Sequence, residues 1–231
     1  MAYAYIDDII GSQSISNFFV PDVIQRQVLG SQITAADNVW GGGEFIYLKA
    51  GATILMGAAV VWDLGWNAVL APSVANQGRT VAFAVYPMTI GQFGMFQVSG
   101  MAVVNATASV AIATPFGITA VGQVGANSAG KQIVNATSVA PSTTTIVKNN
   151  VLVTAGSNVL QTGNTDSWFF GVTVSGTGIP GATTIIGMSP DGRSVTMSAT
   201  ATASGVVTVT GTYTGFIIAQ IQRPFAQGAI T

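Results

Sequence analysis

Residues 80–100, TVAFAVYPMTIGQFGMFQVSG, contain no Asp, Glu, Lys or Arg, and no ionised side chain occurs between Arg79 and Lys131. Residues 79–86 and 93–98 have the composition of buried or half-buried strands. The glycine beside the aromatic residues in 93–98 indicates a bulge or a close approach of another backbone. An uncharged run of this kind belongs in a membrane, in a large core, or on a surface covered by other protein.

The membrane explanation fails on length. The longest apolar run is AGATILMGAAVVW, residues 50–62, whereas a helix that crosses a membrane needs about 20 consecutive apolar residues. Strands that cross a membrane leave a weaker signal. The N-terminal residues MAYAYIDDIIGSQS lack the basic segment followed by an apolar segment that marks a secretory signal. We therefore expect a protein made in the cytoplasm, with no membrane partner.

The composition favours a folded protein that packs against neighbours. Of the 231 residues, 49% are hydrophobic and 6% are charged, against about 25% charged in ordinary globular domains. The formal net charge is -1, so little long-range repulsion keeps copies apart. Nucleic-acid binding needs a concentrated basic field. It is not expected, because the seven basic residues are spread along the chain.

The chain has few of the residue types that catalysis and metal binding commonly use. The chain contains no Cys and no His, which removes disulfides, thiolate nucleophiles, and the usual nucleophile–base pairs and zinc sites. The acids Asp37, Glu44 and Asp63 are scattered, and nothing in their spacing predicts that they converge. The glycine-rich WGGGEF, residues 40–45, lacks the Lys-Ser/Thr of a phosphate-binding loop. We expect no enzyme activity and no cofactor.

Residues 1–40 differ from the rest of the chain and are predicted to form an extended N-terminal arm. A short helix is expected over 22–29, because Pro21 precedes it and Gly30 follows it. Aromatic residues on an otherwise polar arm need a surface that buries them, either the chain's own core or a neighbouring subunit. The aromatic residues predicted to contact another protein or another subunit, in the arm and in later strands, are Tyr3, Tyr5, Phe18, Phe19, Trp40, Phe93 and Phe96.

A Thr-, Ser-, Gly- and Val-rich segment, residues 142–211, is predicted to be an inserted β module. Within it, TTIIGM and VTMSA flank SPDGRS, and an Asp-Gly pair between two alternating runs is a strong hairpin signal. Aromatic and aliphatic residues return after the segment. A last strand over Phe216–Ile221 would complete the parent sheet, with Pro224 ending it.

The resulting fold class is mainly β, with a β-sandwich or barrel-like parent domain, a smaller inserted β module and an extended N-terminal arm. The predicted boundaries are 1–40 for the arm, 41–141 together with 212–231 for the parent domain, and 142–211 for the inserted module.

Three stretches of the chain resemble small capsid-associated proteins of tailed bacteriophages. They are GRTVAFAVYPMTIGQFGMFQVSGMAVV (78–104), IIAQIQRPFAQG (217–228), and the inserted VSGTGIPGATTIIGM…SVTMSATATA, which looks like a β module found in phage virion proteins. The resemblance covers about half of the chain and carries no catalytic residues. It implies a head decoration, or cement, protein on the outside of an icosahedral shell.

The resemblance implies two partners, the major capsid protein and further copies of the chain in a dimer or trimer. We expect residues 1–40 to clasp neighbouring shell proteins and 142–211 to project outward. Deleting residues 1–20 should then abolish shell binding and leave the fold intact.

Other classes of function stay open. The first is a tail, fibre or surface-adhesin component that binds glycans through the inserted module. Asp63 between Trp62 and Trp66 also resembles a carbohydrate platform, although such a pair more often packs a core or an interface. The second is a glycan hydrolase, which would need acids converging in a cleft. The third is a bacterial β-sandwich of another role.

Overall fold

The computed structural model describes residues 4–5, 20–37, 40–107, 110–140, 143–165, 167–189 and 191–229. Within these residues the protein is built from strands and contains no helix, so the prediction of a mainly β fold is confirmed. The strands are β1 (Ala4–Tyr5), β2 (Gln32–Asp37), β3 (Gly41–Ala50), β4 (Ala59–Trp62), β5 (Asn67–Leu70), β6 (Ala82–Ala84), β7 (Phe93–Asn105), β8 (Pro115–Ala120), β9 (Gln123–Ala126), β10 (Gln132–Ala140), β11 (Thr143–Val153), β12 (Val159–Gln161), β13 (Thr173–Gly176), β14 (Thr183–Met188), β15 (Ser194–Met197), β16 (Gly205–Thr214) and β17 (Phe216–Ala226). No helix of the described residues is long and apolar enough to cross a membrane.

Five strands close into a first ring. β3 pairs in parallel with β5, and antiparallel pairs then lead through β4 and β6 to β7. β7 closes the ring by pairing with β3, with Tyr47 opposite Met95. Both faces of β3 are covered, since Phe45, Ile46 and Tyr47 are all buried. A strand covered on both faces carries a continuous apolar run instead of an alternating one.

A second group of strands shares β7 with the first ring. The N-terminal half of β7 pairs with β3, and its C-terminal half pairs with β17. From β17 the sheet continues through β10 and β8 to β9. A bridge between Ala106 and Val124 brings β9 back to the end of β7. At the crossover, Gly100 has a φ of 96°, and a side chain there would collide with the Gly42 carbonyl oxygen.

The start of the uncharged stretch, residues 81–84, lies between the cores of these two groups. Val81 and Phe83 belong to the second core, whereas Ala82 and Ala84 belong to the first. Successive side chains of a strand point to opposite faces, so β6 contributes to a different core at each residue. A charge at any of these positions would be buried without a partner, which is strongly unfavourable.

The remaining strands form a closed six-stranded barrel in the order β11-β12-β15-β14-β13-β16. The predicted hairpin around Asp191 and Gly192 is present as β14 and β15. The barrel is inserted between β10 and β17, and its end strands meet where Thr143 pairs with Thr214. It shares a continuous hydrophobic cluster with the first ring. Phe169 of the barrel also meets Phe216 of β17 edge-on at a centroid distance of 5.4 Å.

The helix expected over 22–29 is wrong. The segment is irregular, because its backbone groups bond to the sheet instead of to one another. Asp22 exchanges backbone hydrogen bonds with Phe93 at 2.8 and 2.9 Å, and Gly30 N donates to the Tyr47 carbonyl at 2.8 Å. Eight residues are too few for a helix to form without tertiary support, and here tertiary contacts favour the extended path.

The expectation that Pro224 ends the last strand is also wrong, since β17 continues to Ala226. Pro224 lies where β17 passes an irregularity in its pairing with β10, between Val134 and Ala136. The preceding Arg223 has a φ of 46°. A proline without an N–H is tolerated at such a bulge, and its carbonyl still accepts a hydrogen bond from Val81 N at 2.9 Å.

Candidate interaction surface

The aromatic residues predicted to make contacts have different positions in the structure. Tyr3, Phe18 and Phe19 lie outside the described residues. The backbone of Tyr5 pairs with Ala35.

The other three candidates pack within the fold to different degrees. Trp40 is half-buried and packs against the first core. Phe93 is half-buried and stacks on Tyr47 at a centroid distance of 6.4 Å. Phe96 is 0% exposed, so the prediction that it contacts another molecule is wrong for the folded chain: core packing uses all of its surface.

The segment 20–31 lies against the first ring and is held there by polar contacts. The Tyr47 hydroxyl donates a hydrogen bond to Asp22 Oδ2 at 2.8 Å and accepts one from Arg26 N at 3.2 Å. Arg26 Nε also contacts Asp22 Oδ1 at 3.0 Å. Asp22 is buried, so these partners supply the hydrogen bonds that a buried carboxylate needs.

Burial dominates the acid–base chemistry of Tyr47. Removal from water raises the pKa of its phenol to about 12, and the hydrogen bond to Asp22 acts in the same direction. The neutral phenol is therefore the form that this fold accommodates. Tyr47 lies beneath the 20–31 segment and holds it against the ring, since its hydroxyl makes both of its hydrogen bonds to residues of that segment.

The outer side of this anchored segment is aliphatic. Val20, Val23, Ile24 and Val28 are between 52% and 78% exposed. Sequence reasoning concentrated on the aromatic residues and missed these four. The signal was present, because Val23, Ile24 and Val28 recur in a short window of the sequence, but the only prediction for this segment was a short helix over 22–29.

A second exposed feature adjoins the segment. The Trp66 ring packs so closely over Gly30 that a Cβ on Gly30 would lie 2.5 Å from a ring carbon. Trp66 itself has a φ of 62°, and the neighbouring Leu64 is fully exposed. We define the apolar cap as the set of exposed side chains on this segment and loop: Val20, Val23, Ile24, Val28, Leu64 and Trp66.

Asp63 holds the loop that presents Leu64. Its Oδ1 accepts hydrogen bonds from Gly65 N at 2.8 Å and Asn67 N at 2.9 Å. Hydrogen bonds from Asn67 hold the pKa of the Asp63 carboxyl below its ordinary value. Asp63 therefore acts as a turn-forming residue, as aspartates commonly do.

The other acids have separate roles. Glu44 accepts hydrogen bonds from Arg223 at 3.1 and 3.4 Å and thereby ties β3 to β17. Asp37 lies at the end of β2. Among the described residues, no three acids gather in a group that could hold a metal ion.

A polar groove lies on a different part of the surface, between β10 and β17. Its volume is about 310 Å³. The amide and hydroxyl residues that line it are Gln132, Asn135, Thr137, Gln220 and Gln222. The groove lies at the irregular pairing of β10 with β17 around Asn135, whose φ is 60°. A bulge interrupts the hydrogen bonds between two strands and changes the direction of the side chains around it.

Comparison of the chain with protein-family models, with curated proteins and with solved structures found no match.

Proposed function

We propose that this chain is a structural virion protein that binds the outside of a phage capsid and stabilises the shell by bridging neighbouring major capsid proteins. The proposal begins from the resemblance of residues 78–104, 174–203 and 217–228 to capsid-associated phage proteins. The observation that carries it is the apolar cap, in which clustered aliphatic side chains are held outward by a hydrogen-bonded segment.

The cap has the properties of a surface that another protein covers. Large exposed apolar patches on soluble proteins mark interaction sites, and burial of one Val or Ile side chain contributes about 1.5–3 kcal/mol. Arg26 is the one charged side chain on the outer face of residues 20–30, and Asp22 beneath it is its partner. An interface over residues 20–30 would therefore bury little unpaired charge.

The stabilising mechanism follows from mass action. A protein that binds the assembled shell, but not separated shell subunits, shifts the equilibrium towards the shell. Each contact can be modest, because repetition by symmetry multiplies the number of contacts. The strands on which the cap is mounted form a closed ring, so binding requires little ordering of the support.

The first experiment is the copy number of this chain in purified virions, measured by quantitative mass spectrometry against the major capsid protein. A copy number comparable with that of the shell protein is expected. A few copies per particle would instead indicate a tail or fibre component, and absence from the particle would reject a virion role.

Glycan binding by a tail, fibre or adhesin component is a second candidate, and the polar groove favours it. Amide side chains such as Gln220 and Gln222 both donate and accept hydrogen bonds, as sugar hydroxyls require. Binding of a glycan array by the purified chain, and its loss in Gln220→Ala, would support this function. Equal binding by the variant would show that Gln220 and its groove do not bind the glycan.

A further inference from the structure

One lysine of the six-stranded barrel lies on the inner face of its strand. Lys148 of β11 pairs directly with Val209 of β16, and Val209 is 0% exposed. Side chains of directly opposite residues share one face of a sheet, so the half-buried Lys148 side chain points to the same interior as Val209. Lysine is seldom found at such a position, which indicates a specific role for its amine.

The Lys148 amine is held against the side-chain amide of Asn164. Its Nζ donates a hydrogen bond to Asn164 Oδ1 at 2.7 Å, across 16 positions of the chain. Nζ also lies 5.4 Å from the ring centroid of Trp168, and Trp168 is 0% exposed. This cation–π contact restrains the amine, and Cγ of Asn164 is one covalent bond away from the oxygen that Nζ contacts.

A further polar group is buried next to Asn164 in the chain. Thr165 is 0% exposed, and its Oγ1 has no hydrogen-bond partner among the described residues. Core packing alone does not account for such a hydroxyl, because leaving it unbonded is unfavourable. An inward lysine, the amide that it contacts and an unbonded hydroxyl therefore occur together where the chain leaves β12.

The geometry points to an isopeptide bond between Lys148 Nζ and Asn164 Cγ. The neutral amine attacks Cγ, as lysine amines attack other carbonyl groups, and Oδ1 carries the negative charge that develops. The Cγ–Nδ2 bond then breaks, and Nδ2 leaves as ammonia with a proton that Nζ gives up. The step needs no oxidant, reductant or second reactant, because the fold itself holds the two reacting groups together.

The bond gives the barrel a covalent link that this chain cannot make with sulfur. The sequence contains no Cys. An amide between Lys148 and Asn164 closes a loop that runs from β11 past β12, and it restricts the unfolded chain as a disulfide does. The inference stands apart from the proposed function, because it uses no residue of the apolar cap.

The intact mass of the purified full chain tests the inference. We expect a mass lower than that of the sequence by one ammonia. Trypsin should not cleave after the blocked Lys148, and chymotrypsin, which cleaves at Leu152 and Leu160, should leave the peptides on either side joined. The bond should form faster at about pH 10, where a larger share of lysine amines is neutral.

Variants identify the two reacting side chains. Lys148→Arg and Asn164→Ala should each have the mass of their own sequence. Lys131→Arg replaces a lysine that contacts Ser73 and is the matched control, which should still lose ammonia. Loss of ammonia that persists in Lys148→Arg would indicate a succinimide at an asparagine and would overturn the inference. An unchanged mass, both after purification and after incubation at about pH 10, would also overturn it.

Discussion

The Tyr47 hydroxyl donates a hydrogen bond to the buried Asp22 carboxylate at 2.8 Å, across 25 positions of the chain. This contact joins the first ring to the segment that carries four of the six residues of the apolar cap. Tyr47→Phe removes the donor and leaves Asp22 with its Arg26 contact. We expect the free energy of unfolding to fall by about 1–2 kcal/mol, measured by urea denaturation. An unchanged midpoint would show that the hydrogen bond contributes nothing net.

The raised pKa of Tyr47 predicts a loss of stability in alkali. Its folded pKa of about 12 exceeds the unfolded value of about 10. The contribution is therefore fully present below pH 10 and is lost as the pH rises towards 12, up to about 2–3 kcal/mol. Denaturation midpoints measured between pH 8 and pH 12 should show the fall. Tyr47→Phe should reduce it but not abolish it, because burial also raises the pKa of Tyr213.

The apolar cap can be altered without disturbing the fold. Val23 and Ile24 are mostly exposed, so Val23→Asp with Ile24→Asp should change the free energy of unfolding by less than about 1 kcal/mol. Binding to purified shells that lack this protein should weaken at least tenfold, measured by co-sedimentation. Val206→Asp, at an exposed barrel position, is the matched control and should bind normally. Normal binding by the double variant would exclude the cap as the contact surface.

The contact of Trp66 with Gly30 makes that glycine hard to replace. Gly30 has a φ of 80°, and an added Cβ would meet the Trp66 ring at 2.5 Å. Gly30→Ala should lower the free energy of unfolding by at least about 1–2 kcal/mol, the cost of left-handed backbone alone, and should change the near-ultraviolet circular dichroism of the tryptophans.

Gly41 distinguishes the cost of the left-handed backbone from the cost of the contact with Trp66. Its φ is 74°, but nothing lies within 4 Å of the added Cβ. Gly41→Ala should therefore show the backbone cost without the spectral change. An identical spectrum for Gly30→Ala would show that Trp66 can move aside without losing its environment.

The local signals in the sequence predicted local structure well. The Asp191-Gly192 pair indicated the hairpin that β14 and β15 form, because the turn and its flanking strands lie within a few residues of one another. The uncharged stretch 80–100 correctly indicated buried strands. It did not reveal that β6 lies between two cores, because this depends on pairing with strands far away in the chain.

The site was harder to predict than the fold. Val23, Ile24 and Val28 have the spacing of one face of a helix, and Pro21 and Gly30 supplied plausible ends. The competing extended path depends on Tyr47 and Phe93, whose contacts with Asp22 span many residues. A single sequence carries no signal for that pairing, so the exposed aliphatic surface became visible only in the structure.

The barrel closes on itself, and this predicts that residues 143–214 fold alone. The ring of strands leaves no open edge, and Trp168 is 0% exposed within its core. The isolated fragment should show a cooperative thermal transition and a blue-shifted tryptophan emission. Gly211→Val is a matched control that should prevent folding, since its Cβ would lie 2.8 Å from Trp168 Nε1 and 3.0 Å from Val172. An unfolded unmodified fragment would show instead that contacts with the rest of the chain are required for the barrel to form, namely the cluster shared with the first ring and the contact of Phe169 with Phe216 of β17.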